Sequence, residues 1–287
     1  MVPPPADVSI SAAIVHELLR QSPQYADRPI ARAGQGWDNE MWRLGDELAL
    51  RLPRRREAAR LITNEIVWLR RVAAPLPVAA PVPVFAGGPT VRYRYPWAIV
   101  PWLAGAPAAA ASPSARDGYA VALARALRAL HVPSPTEAPH NPYRGVPLAE
   151  RAPSAVDRLS SGARRYRPLL ALLRDAEHSA AYHGPPVWLH GDPHPGNVLV
   201  DGGRLHALID FGDLCQGDPA SDLGVVWLHF TRSGRERFFA AYGAPDALQR
   251  RARGWAVSLA TAIRVTDGTG PLAACAEHAL TELLADL

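Results

Sequence analysis

The sequence predicts an α+β protein in two parts, a small β-rich first lobe and a larger, mostly helical second lobe. Short apolar stretches broken by turn residues and prolines fill residues 40–102, which is typical of strands. From residue 104 onward apolar residues recur mostly at helical spacing, and one short hairpin interrupts the helices near residue 200. We therefore predict an N-terminal lobe over 1–102 and a C-terminal lobe over 103–287.

The first lobe should contain a helix, a hairpin, a second helix and two further strands. Ile10, Ile14 and Leu18 lie on one side of the first helix, and Gly45-Asp46 forms the turn of the hairpin. The expected positions are 9–21 for the first helix, 40–44 and 48–52 for the hairpin, 55–72 for the second helix, and 82–85 and 95–102 for the strands.

The second lobe should consist of helices around one strand and one hairpin. Pro168 should break the second of these helices, and the proline-rich segment 132–153 reads as an extended connection. The expected helices cover 115–131, 155–181 and 221–287, the last with breaks at 243–245 and 267–271; the strand covers 187–189 and the hairpin 198–200 and 205–209.

Composition narrows the class of protein. The apolar fraction of 48% and the charged fraction of 20% are ordinary for a soluble globular chain. All 31 basic residues are arginine, yet the formal charge is only +4 and no basic tract suggests a nucleic-acid partner. Cys215 and Cys275 are too far apart for a metal motif, and a disulfide framework is not expected.

Nothing in the sequence indicates a membrane partner. The first residues lack the basic and apolar regions of a signal peptide. The longest uncharged stretch, residues 95–115, is interrupted by prolines and is a poor membrane span. We therefore expect a cytoplasmic protein.

The most informative stretch is 188–200, which reads Trp-Leu-His-Gly-Asp-Pro-His-Pro-Gly-Asn-Val-Leu-Val. Four residues separate Asp192 from Asn197, and Ile209-Asp-Phe-Gly212 follows after the predicted hairpin. The ordered set is far more specific than His-Gly-Asp or Asp-Phe-Gly alone. The ordinary alternative is a set of Asp-rich turns that cap helices.

Two carboxylates and an amide at this spacing suit phosphoryl transfer. A hydroxyl is a poor nucleophile, so transfer benefits from a carboxylate that accepts its proton, and Asp192 is the candidate catalytic base. Magnesium prefers hard oxygen ligands, which Asn197 and Asp210 supply. The catalytic loop and Asp-Phe-Gly segment of protein kinases have similar spacing and these roles. The predicted cofactors are therefore ATP or GTP as co-substrate and Mg²⁺.

Residues 188–224 resemble the aminoglycoside phosphotransferase family, a group related to protein kinases whose members phosphorylate antibiotics and other small alcohols. The two blocks around Asp192 and Asp210 match its signatures, and Asp218-Pro-Ala-Ser-Asp222-Leu matches the block that follows them. The resemblance implies a two-lobed, protein-kinase-like fold. It also implies that Asp222 braces the catalytic loop from the start of a helix, which is compatible with a simple N-cap.

The first lobe should then bind the nucleotide, and Gly34-Gln-Gly36-Trp-Asp-Asn39 is the candidate phosphate loop. Backbone amides in a glycine-containing turn can approach phosphates closely because no Cβ intervenes. The Gly-x-Asp-Asn pattern resembles phosphotransferases that act on the 2″-hydroxyl of aminoglycosides. The third glycine of the protein-kinase loop is absent, and Gly-x-Gly equally marks ordinary turns.

Arg51 occupies the strand position at which the family presents a lysine to the nucleotide phosphates. Arginine keeps the charge and adds bidentate geometry, but its reach differs from that of lysine. Glu65 on the following helix would pair with Arg51, and it fits the family's Glu-x-x-x-Leu pattern better than Glu57 does. The alternatives are a surface arginine on an edge strand and a surface glutamate on a helix.

The segment Trp97-Ala-Ile-Val-Pro-Trp-Leu-Ala-Gly105 resembles the family's hinge between lobes. Its backbone around Val100, Trp102 and Leu103 would hydrogen-bond the purine, with apolar side chains on either side. Any core strand followed by a turn would have the same composition, so only its place in the order favours a hinge.

The sequence thus predicts a small-molecule O-phosphotransferase that moves the γ-phosphate of ATP or GTP to a hydroxyl. The resemblance implies an aminoglycoside-like acceptor, whose amines would need acidic partners. The last helices offer Asp267, Glu277, Glu282 and Asp286.

Other functions stay open at this point. The C-terminal tail is not markedly acidic, which leaves macrolides and metabolic alcohols such as choline or homoserine as acceptors. A nucleotide-binding pseudokinase is the non-enzymatic alternative, and only Arg51 favours it. A protein kinase is disfavoured, because 211–222 is too short for a long activation loop.

Overall fold

The computed structural model describes residues 4–287, and these fall into two compact units. The first unit comprises the chain through Ala74 and the segment Ala79–Ala104. The second comprises Pro75–Val78 and Gly105–Leu287. The predicted α+β class is confirmed, with most strands in the first unit and most helices in the second.

The first unit is built on a five-stranded antiparallel sheet in the order β1-β2-β3-β5-β4. Its strands are β1 (Ile30–Gln35), β2 (Asn39–Leu44), β3 (Leu48–Pro53), β4 (Phe85–Gly87) and β5 (Trp97–Pro101). The β2–β3 hairpin turns at Gly45, whose φ of 63° lies in the left-handed region that glycine tolerates. This order places β3 at the centre of the sheet, hydrogen-bonded on both edges.

Two helices cover the two faces of this sheet. Side chains of α1 (Ala12–Leu19) pack with Trp42, Leu50 and Ile99, whereas Ile62 of α2 (Arg56–Ala73) packs with the alternate residues, including Ala49, Ala98 and Val100. Because successive residues of a strand point to opposite faces, the two helices lie on opposite sides. The sheet is therefore covered on both faces, and every residue of β3 except Leu48 is buried.

The second unit contains nine α-helices and two small sheets within the described residues. The helices are α3 (Pro113–Arg116), α4 (Ala120–Leu130), α5 (Leu148–Ser161), α6 (Leu169–Glu177), α7 (Ala220–Leu223), α8 (Val226–His229), α9 (Arg232–Tyr242), α10 (Asp246–Asp267) and α11 (Pro271–Ala285). The strands are β6 (Ala106–Pro107), β7 (Val187–Leu189), β8 (Val198–Asp201), β9 (Arg204–Leu208) and β10 (Cys215–Gly217).

Helix α10 is the central packing element of the second unit. It contacts α5, α6, α7 and α11, and most of its buried residues are apolar. Arg251 of α10 reaches Asp218, just before α7, through two hydrogen bonds of 2.7 and 3.2 Å. This buried pair links the loop ahead of α7 to α10, and it thereby fixes the start of α7.

The two small sheets hold the motif residues found in the sequence. Strand β10 pairs with β7, and β6-β8-β9 form the other antiparallel sheet. The β8–β9 turn has Gly202 and Gly203 at φ of 53° and 76°, as a tight two-residue hairpin requires. The predicted strand at 187–189 and the predicted hairpin are confirmed.

Two expectations for secondary structure were wrong. The sequence indicated two strands between residues 30 and 53, but β1 precedes them as an edge strand. Helix α5 begins at Leu148 and contains Pro153, so the supposed extended connection ends earlier.

Within residues 4–287 we find no helix with the length and apolarity that a membrane crossing requires.

Candidate active site

The predicted catalytic loop leaves the end of β7 in a sharp turn. Gly191 has a φ of 87°, and a Cβ built there would lie 2.2 Å from the carbonyl oxygen of Asp213. Only glycine permits both the backbone conformation and this close approach. The turn brings Asp192 next to the segment that follows Ile209-Asp-Phe-Gly212.

The buried carboxylate of Asp222 holds this loop in place. One oxygen accepts the backbone N–H of His190 at 2.8 Å, and the other accepts that of Gly191 at 2.9 Å. The ring Nε2 of His131, at the end of α4, lies 3.1 Å from the first oxygen. Hydrogen bonds to an ionised acceptor are strong, so Asp222 fixes the loop rigidly. The role that the resemblance implied for Asp222 is confirmed.

His190 uses both ring nitrogens inside the protein. Its Nε2 lies 3.1 Å from the carbonyl oxygen of Ile209, and its Nδ1 accepts the backbone N–H of Asp192 at 3.3 Å. Burial lowers the pKa of His190, so the ring is neutral at neutral pH. His190 therefore orders the loop and joins it to the end of β9.

The carboxylate of Asp192 is partly exposed and held by two basic side chains. A guanidinium nitrogen of Arg144 lies 2.9 Å from Oδ1, and Nε2 of His194 lies 3.3 Å from Oδ2. Burial opposes ionisation of Asp192, but its neighbours His194, Arg144 and His190 outweigh that effect and hold the pKa of Asp192 below its usual value. Because burial keeps His190 neutral, the permanent charge of Arg144 matters more. Asp192 is thus ionised and able to accept a proton.

Asn197 ends a 3₁₀ turn, Pro195–Asn197, directly after this loop. Its side-chain nitrogen donates to the backbone carbonyl oxygen of Asp192 at 2.9 Å. The amide nitrogen is thereby committed to the protein, which leaves Oδ1 as the atom available to a cation. An oxygen ligand in this position fits magnesium.

Asp210 lies at the end of β9 in an unusual backbone conformation. Its φ of 61° makes it the only described residue other than glycine with a positive φ. The preceding residue, Ile209, donates its N–H to the carbonyl oxygen of Asn197 at 2.9 Å. The β8–β9 hairpin therefore returns Asp210 to Asn197, and the left-handed conformation is the kind of strain found at functional sites.

Asp213 is a further carboxylate that the sequence did not single out. It accepts a hydrogen bond from the side-chain nitrogen of Asn141 at 2.8 Å. Burial raises the pKa of Asp213 to about 6, and the negative charges of Asp192 and Asp210 act in the same direction, against Arg144. Three carboxylates and one guanidinium thus share this corner of the second unit.

In the first unit, the loop Gly34–Asn39 connects β1 with β2 and is closed by arginines. Arg54 donates to the carbonyl oxygen of Gly36 at 3.2 Å, and Arg55 contacts the Asp38 carboxylate at 2.5 Å. A Cβ at Gly34 would meet no atom within 4 Å, so the loop has open space beside it. Asn39 Oδ1 is buried without a hydrogen-bond partner among the described residues, which suits a site that receives a ligand.

Arg51 and Glu65 form the predicted ion pair. Arg51 lies on the central strand β3 and Glu65 on α2, with a nitrogen–oxygen distance of 2.9 Å and side chains only 7% and 1% exposed. Arg51 is therefore neither on an edge strand nor on the surface. Glu57, the competing partner, instead faces Arg55 at 3.6 Å and is largely exposed.

The predicted hinge residues lie at the end of β5 and directly after it, and few of them have a backbone N–H that could bind a ligand. Val100 lies inside the β3–β5 ladder, and Pro101 has no N–H. The N–H of Trp102 donates to the carbonyl oxygen of Glu47 at 2.7 Å, while its ring stacks under Arg43 with 4.5 Å to the ring centroid. Of this stretch, the N–H of Leu103 is left as the candidate donor to a purine.

The acidic side chains of the last helices form ion pairs with arginines. Glu282 and Asp286 both contact the buried Arg235, and Asp286 also accepts the indole N–H of Trp227 at 2.9 Å. Glu277 contacts Arg165 and lies 3.6 Å from Arg264. These three carboxylates are thus neutralised within the protein; the side chain of Asp267 lies outside the described residues.

Comparison with known proteins identifies the family. The model of the phosphotransferase enzyme family matches residues 29–256, which is most of the chain. The chain belongs to the phosphotransferase enzyme family. It is accordingly a phosphotransferase that acts on a hydroxyl group, and the resemblance seen in residues 188–224 is confirmed. No curated protein sequence matches this phosphotransferase.

Solved structures confirm the two-lobed, kinase-like fold. The GDP and kanamycin complex of APH(2")-IIia has a TM-score of 0.72 at 18% identity, covering 96% of this chain and 99% of the other. The GDP complex of aminoglycoside 2'-phosphotransferase-IIIa has a TM-score of 0.68 at 16% identity, covering 97% and 100%. Macrolide 2'-phosphotransferase MphH from Brachybacterium faecium has 0.61 at 20% identity, covering 92% and 97%. At these identities the likeness concerns the fold alone.

The sequence analysis missed three residues that contact the site from other segments of the chain. Arg144 and Asn141 lie in the proline-rich segment that was interpreted as a mere connection, and His131 closes α4. Arg144 and Asn141 belong to no motif or periodic stretch, and His131 is only the last residue of the predicted helix 115–131. Only the run Asn141-Pro-Tyr-Arg-Gly145, with polar residues among turn formers, indicated a structured loop.

Replacement of Asp213 by asparagine should flatten the pH dependence of stability. The raised pKa means that the folded protein keeps a proton that the unfolded chain releases, so this contribution is full below 3.8 and lost as the pH rises through about 6. Relative to Asp213→Asn, the wild-type free energy of unfolding should fall by at most about 3 kcal/mol across that window. Urea denaturation at a series of pH values measures it. Asp201→Asn, an exposed change, should leave the profile unaltered; parallel curves for Asp213→Asn and wild type would contradict the assignment.

Loss of one partner of the Arg51–Glu65 pair should destabilise the first unit strongly. Glu65→Leu removes a buried carboxylate that pairs with the Arg51 guanidinium, at a cost of about 3–5 kcal/mol in the free energy of unfolding. The double change Arg51→Leu with Glu65→Leu should recover most of it, because an apolar pair needs no counter-charge. Urea denaturation followed by hydrogen exchange in β3 and α2 measures both. Glu57→Leu on the same helix is the matched control, and an equal loss there would refute the argument.

Proposed function

We propose that this phosphotransferase moves the γ-phosphate of ATP or GTP to a hydroxyl of a small molecule, with an aminoglycoside-like antibiotic as the leading acceptor. The observation that carries the proposal is the arrangement of Asp192, Asn197 and Asp210. The loop that carries the ionised Asp192 is bonded to Asn197, and the hairpin joins the residue before Asp210 to Asn197, the two proposed oxygen ligands. This arrangement suits a reaction that depends on positioning and charge.

Asp192 is the proposed base. Its low pKa keeps it ionised, and each of its oxygens has a lone pair beyond those that face Arg144 and His194. The acceptor hydroxyl would donate its proton to this carboxylate as its oxygen bonds to the γ-phosphorus, and the bond from that phosphorus to the bridging oxygen would break to release the nucleoside diphosphate. Loss of the proton makes the oxygen a better nucleophile.

Asn197 and Asp210 are the proposed magnesium ligands. Within the described residues no cluster of three or more His, Cys, Asp or Glu could hold a metal ion. Magnesium usually takes only one or two carboxylates from a protein and completes its shell with phosphates and water, so the pair fits it. When bound, the ion would neutralise charge on the phosphate chain.

The proposed nucleotide contacts lie in the first unit. The open loop with Gly34, Gly36 and Asn39 would cover the phosphates, and Arg51 held by Glu65 would contact them. The backbone at Val100, Trp102 and Leu103 would meet the purine. Because the N–H of Trp102 is already bonded to Glu47, this contact would come from carbonyl oxygens and the N–H of Leu103.

The charge balance of the last helices favours a second class of acceptor. An aminoglycoside carries several amines and needs carboxylates that are not already neutralised. Glu282 and Asp286 are paired with Arg235, and Glu277 faces Arg165 and Arg264. This pairing favours a macrolide or a metabolic alcohol with fewer cationic groups as the second candidate.

A screen of acceptors tests the proposal. Consumption of ATP and GTP with magnesium would be measured against aminoglycosides, macrolides and small alcohols of the choline and homoserine type. Transfer to an aminoglycoside supports the leading acceptor, and transfer only to another class supports the second. Nucleotide binding without transfer to any acceptor would indicate a pseudokinase and overturn the proposal.

Replacement of Asp192 should separate chemistry from nucleotide binding. For Asp192→Asn we expect kcat to fall by about 10²–10⁴-fold, because general-base catalysis is lost. The nucleotide Kd should stay unchanged, because the proposed phosphate and metal ligands remain. Steady-state kinetics and calorimetry measure the two quantities. Asp201→Asn, an exposed change in β8, is the control; retained turnover in Asp192→Asn would remove Asp192 from the base role.

A further inference from the structure

We propose that Arg144 is a positioning residue for the reaction, which fixes one oxygen of Asp192 so that the other faces the acceptor hydroxyl. This inference rests on the proposed function, in which Asp192 is the base. The contact joins two residues 48 positions apart, with Arg144 Nη2 2.9 Å from Asp192 Oδ1. It therefore depends on the fold and not on local sequence.

The hydrogen-bond pattern around Asp192 assigns distinct tasks to its two oxygens. Arg144 donates to Oδ1. The Nδ1 atom of His194 accepts the backbone N–H of Gly196 at 3.1 Å, so the ring proton lies on Nε2, which is 3.3 Å from Oδ2. The second contact is longer and weaker than the first. Oδ2 is consequently the oxygen that an acceptor hydroxyl can approach, while Arg144 prevents rotation of the carboxylate.

The segment 138–145, which we call the strap, holds Arg144 next to Asp192. Gln216 of β10 holds its start, with its backbone N–H on the carbonyl oxygen of Pro139 at 3.0 Å and its side chain on that of Ala138 at 2.8 Å. The N–H of Asp218 holds its end, on the carbonyl oxygen of Gly145 at 3.0 Å. Since β10 pairs with β7, the strap is anchored to the strand that carries the catalytic loop.

Close packing leaves the strap little freedom. Gly145 has a φ of 70°, and a Cβ there would lie 2.7 Å from the carbonyl oxygen of Gln216. Inside the strap, the Asn141 side chain donates to Asp213 at 2.8 Å and accepts the N–H of Tyr143 at 2.8 Å. Asn141 therefore folds the strap back toward the Asp-Phe-Gly segment, which places Arg144 over Asp192.

The chemistry of arginine suits this task better than that of other cations. A guanidinium is planar, always charged, and holds a carboxylate in a defined orientation, whereas a lysine acts as a point charge. A structural counter-ion would need only the charge. A positioning role would also require the geometry, and the two can be separated by experiment.

The test compares Arg144→Gln, Arg144→Lys and the control Arg204→Gln, an exposed arginine of the same unit. We expect kcat to fall by about 10- to 100-fold in Arg144→Gln with an unchanged KM for nucleotide, because a misoriented base slows chemistry alone. Arg144→Lys should lie between Arg144→Gln and wild type. Added guanidinium ion should restore part of kcat in Arg144→Gln and have no effect on Arg204→Gln.

Wild-type kcat in Arg144→Gln would overturn the proposal. So would a loss that guanidinium does not restore, or one shared equally between kcat and the KM for nucleotide. If Arg144→Gln fails to fold, the folded Arg144→Lys variant decides, since wild-type kcat there would show that charge without fork geometry suffices.

A spectroscopic readout separates this inference from the proposed function. The ¹⁵N resonance of the Arg144 side chain, assigned by its absence in Arg144→Lys, should shift in Asp192→Asn. An unchanged resonance would overturn the contact and with it the inference. Absence of transfer by the wild-type protein to every acceptor would instead refute the proposed function, whatever the resonance shows.

Discussion

The candidate active site depends on the hydrogen bonds that the carboxylate of Asp222 accepts. A loop that leaves a strand end has backbone N–H groups without sheet partners, and burying them unpaired would be costly. Asp222 accepts two of them, from His190 and Gly191, and contacts His131 as well. Its own position is set by α7, which the Asp218–Arg251 pair ties to the central helix α10. The helical core thereby determines where the catalytic loop lies.

The other polar groups of the candidate site are positioned by contacts with this loop or with one another. His190 links the loop to the end of β9, and Asn197 binds back to the carbonyl oxygen of Asp192. The hairpin returns Asp210 in a left-handed conformation that the surrounding contacts must maintain. Arg144 then fixes one oxygen of Asp192. These polar groups are thus held by contacts within the protein, as the proposed reaction would require.

The sequence predicted those candidate-site residues that lie near one another along the chain. Asp192 and Asn197 fall within one loop and Asp210 follows a short hairpin, so their spacing could be matched to the kinase template. Arg144 could not be predicted, because packing of the strap against β10 brings it to Asp192 from a segment without periodicity. Strand β1 was not predicted because its sequence also lacks a periodic pattern. It is an edge strand with mostly exposed residues, so it does not show the apolar alternation of a buried strand.

Hydrogen exchange at the amides of His190 and Gly191 tests most directly whether Asp222 holds the loop. The comparison is between wild type and Asp222→Asn, which keeps the shape and removes the charge. Hydrogen bonds to a charged group contribute about 1.5–3 kcal/mol, so both amides should exchange roughly 10- to 100-fold faster in the variant. The amide of Ala207 in β9 should be unaffected. Equal exchange rates of His190 and Gly191 in the two proteins would contradict the central role of Asp222.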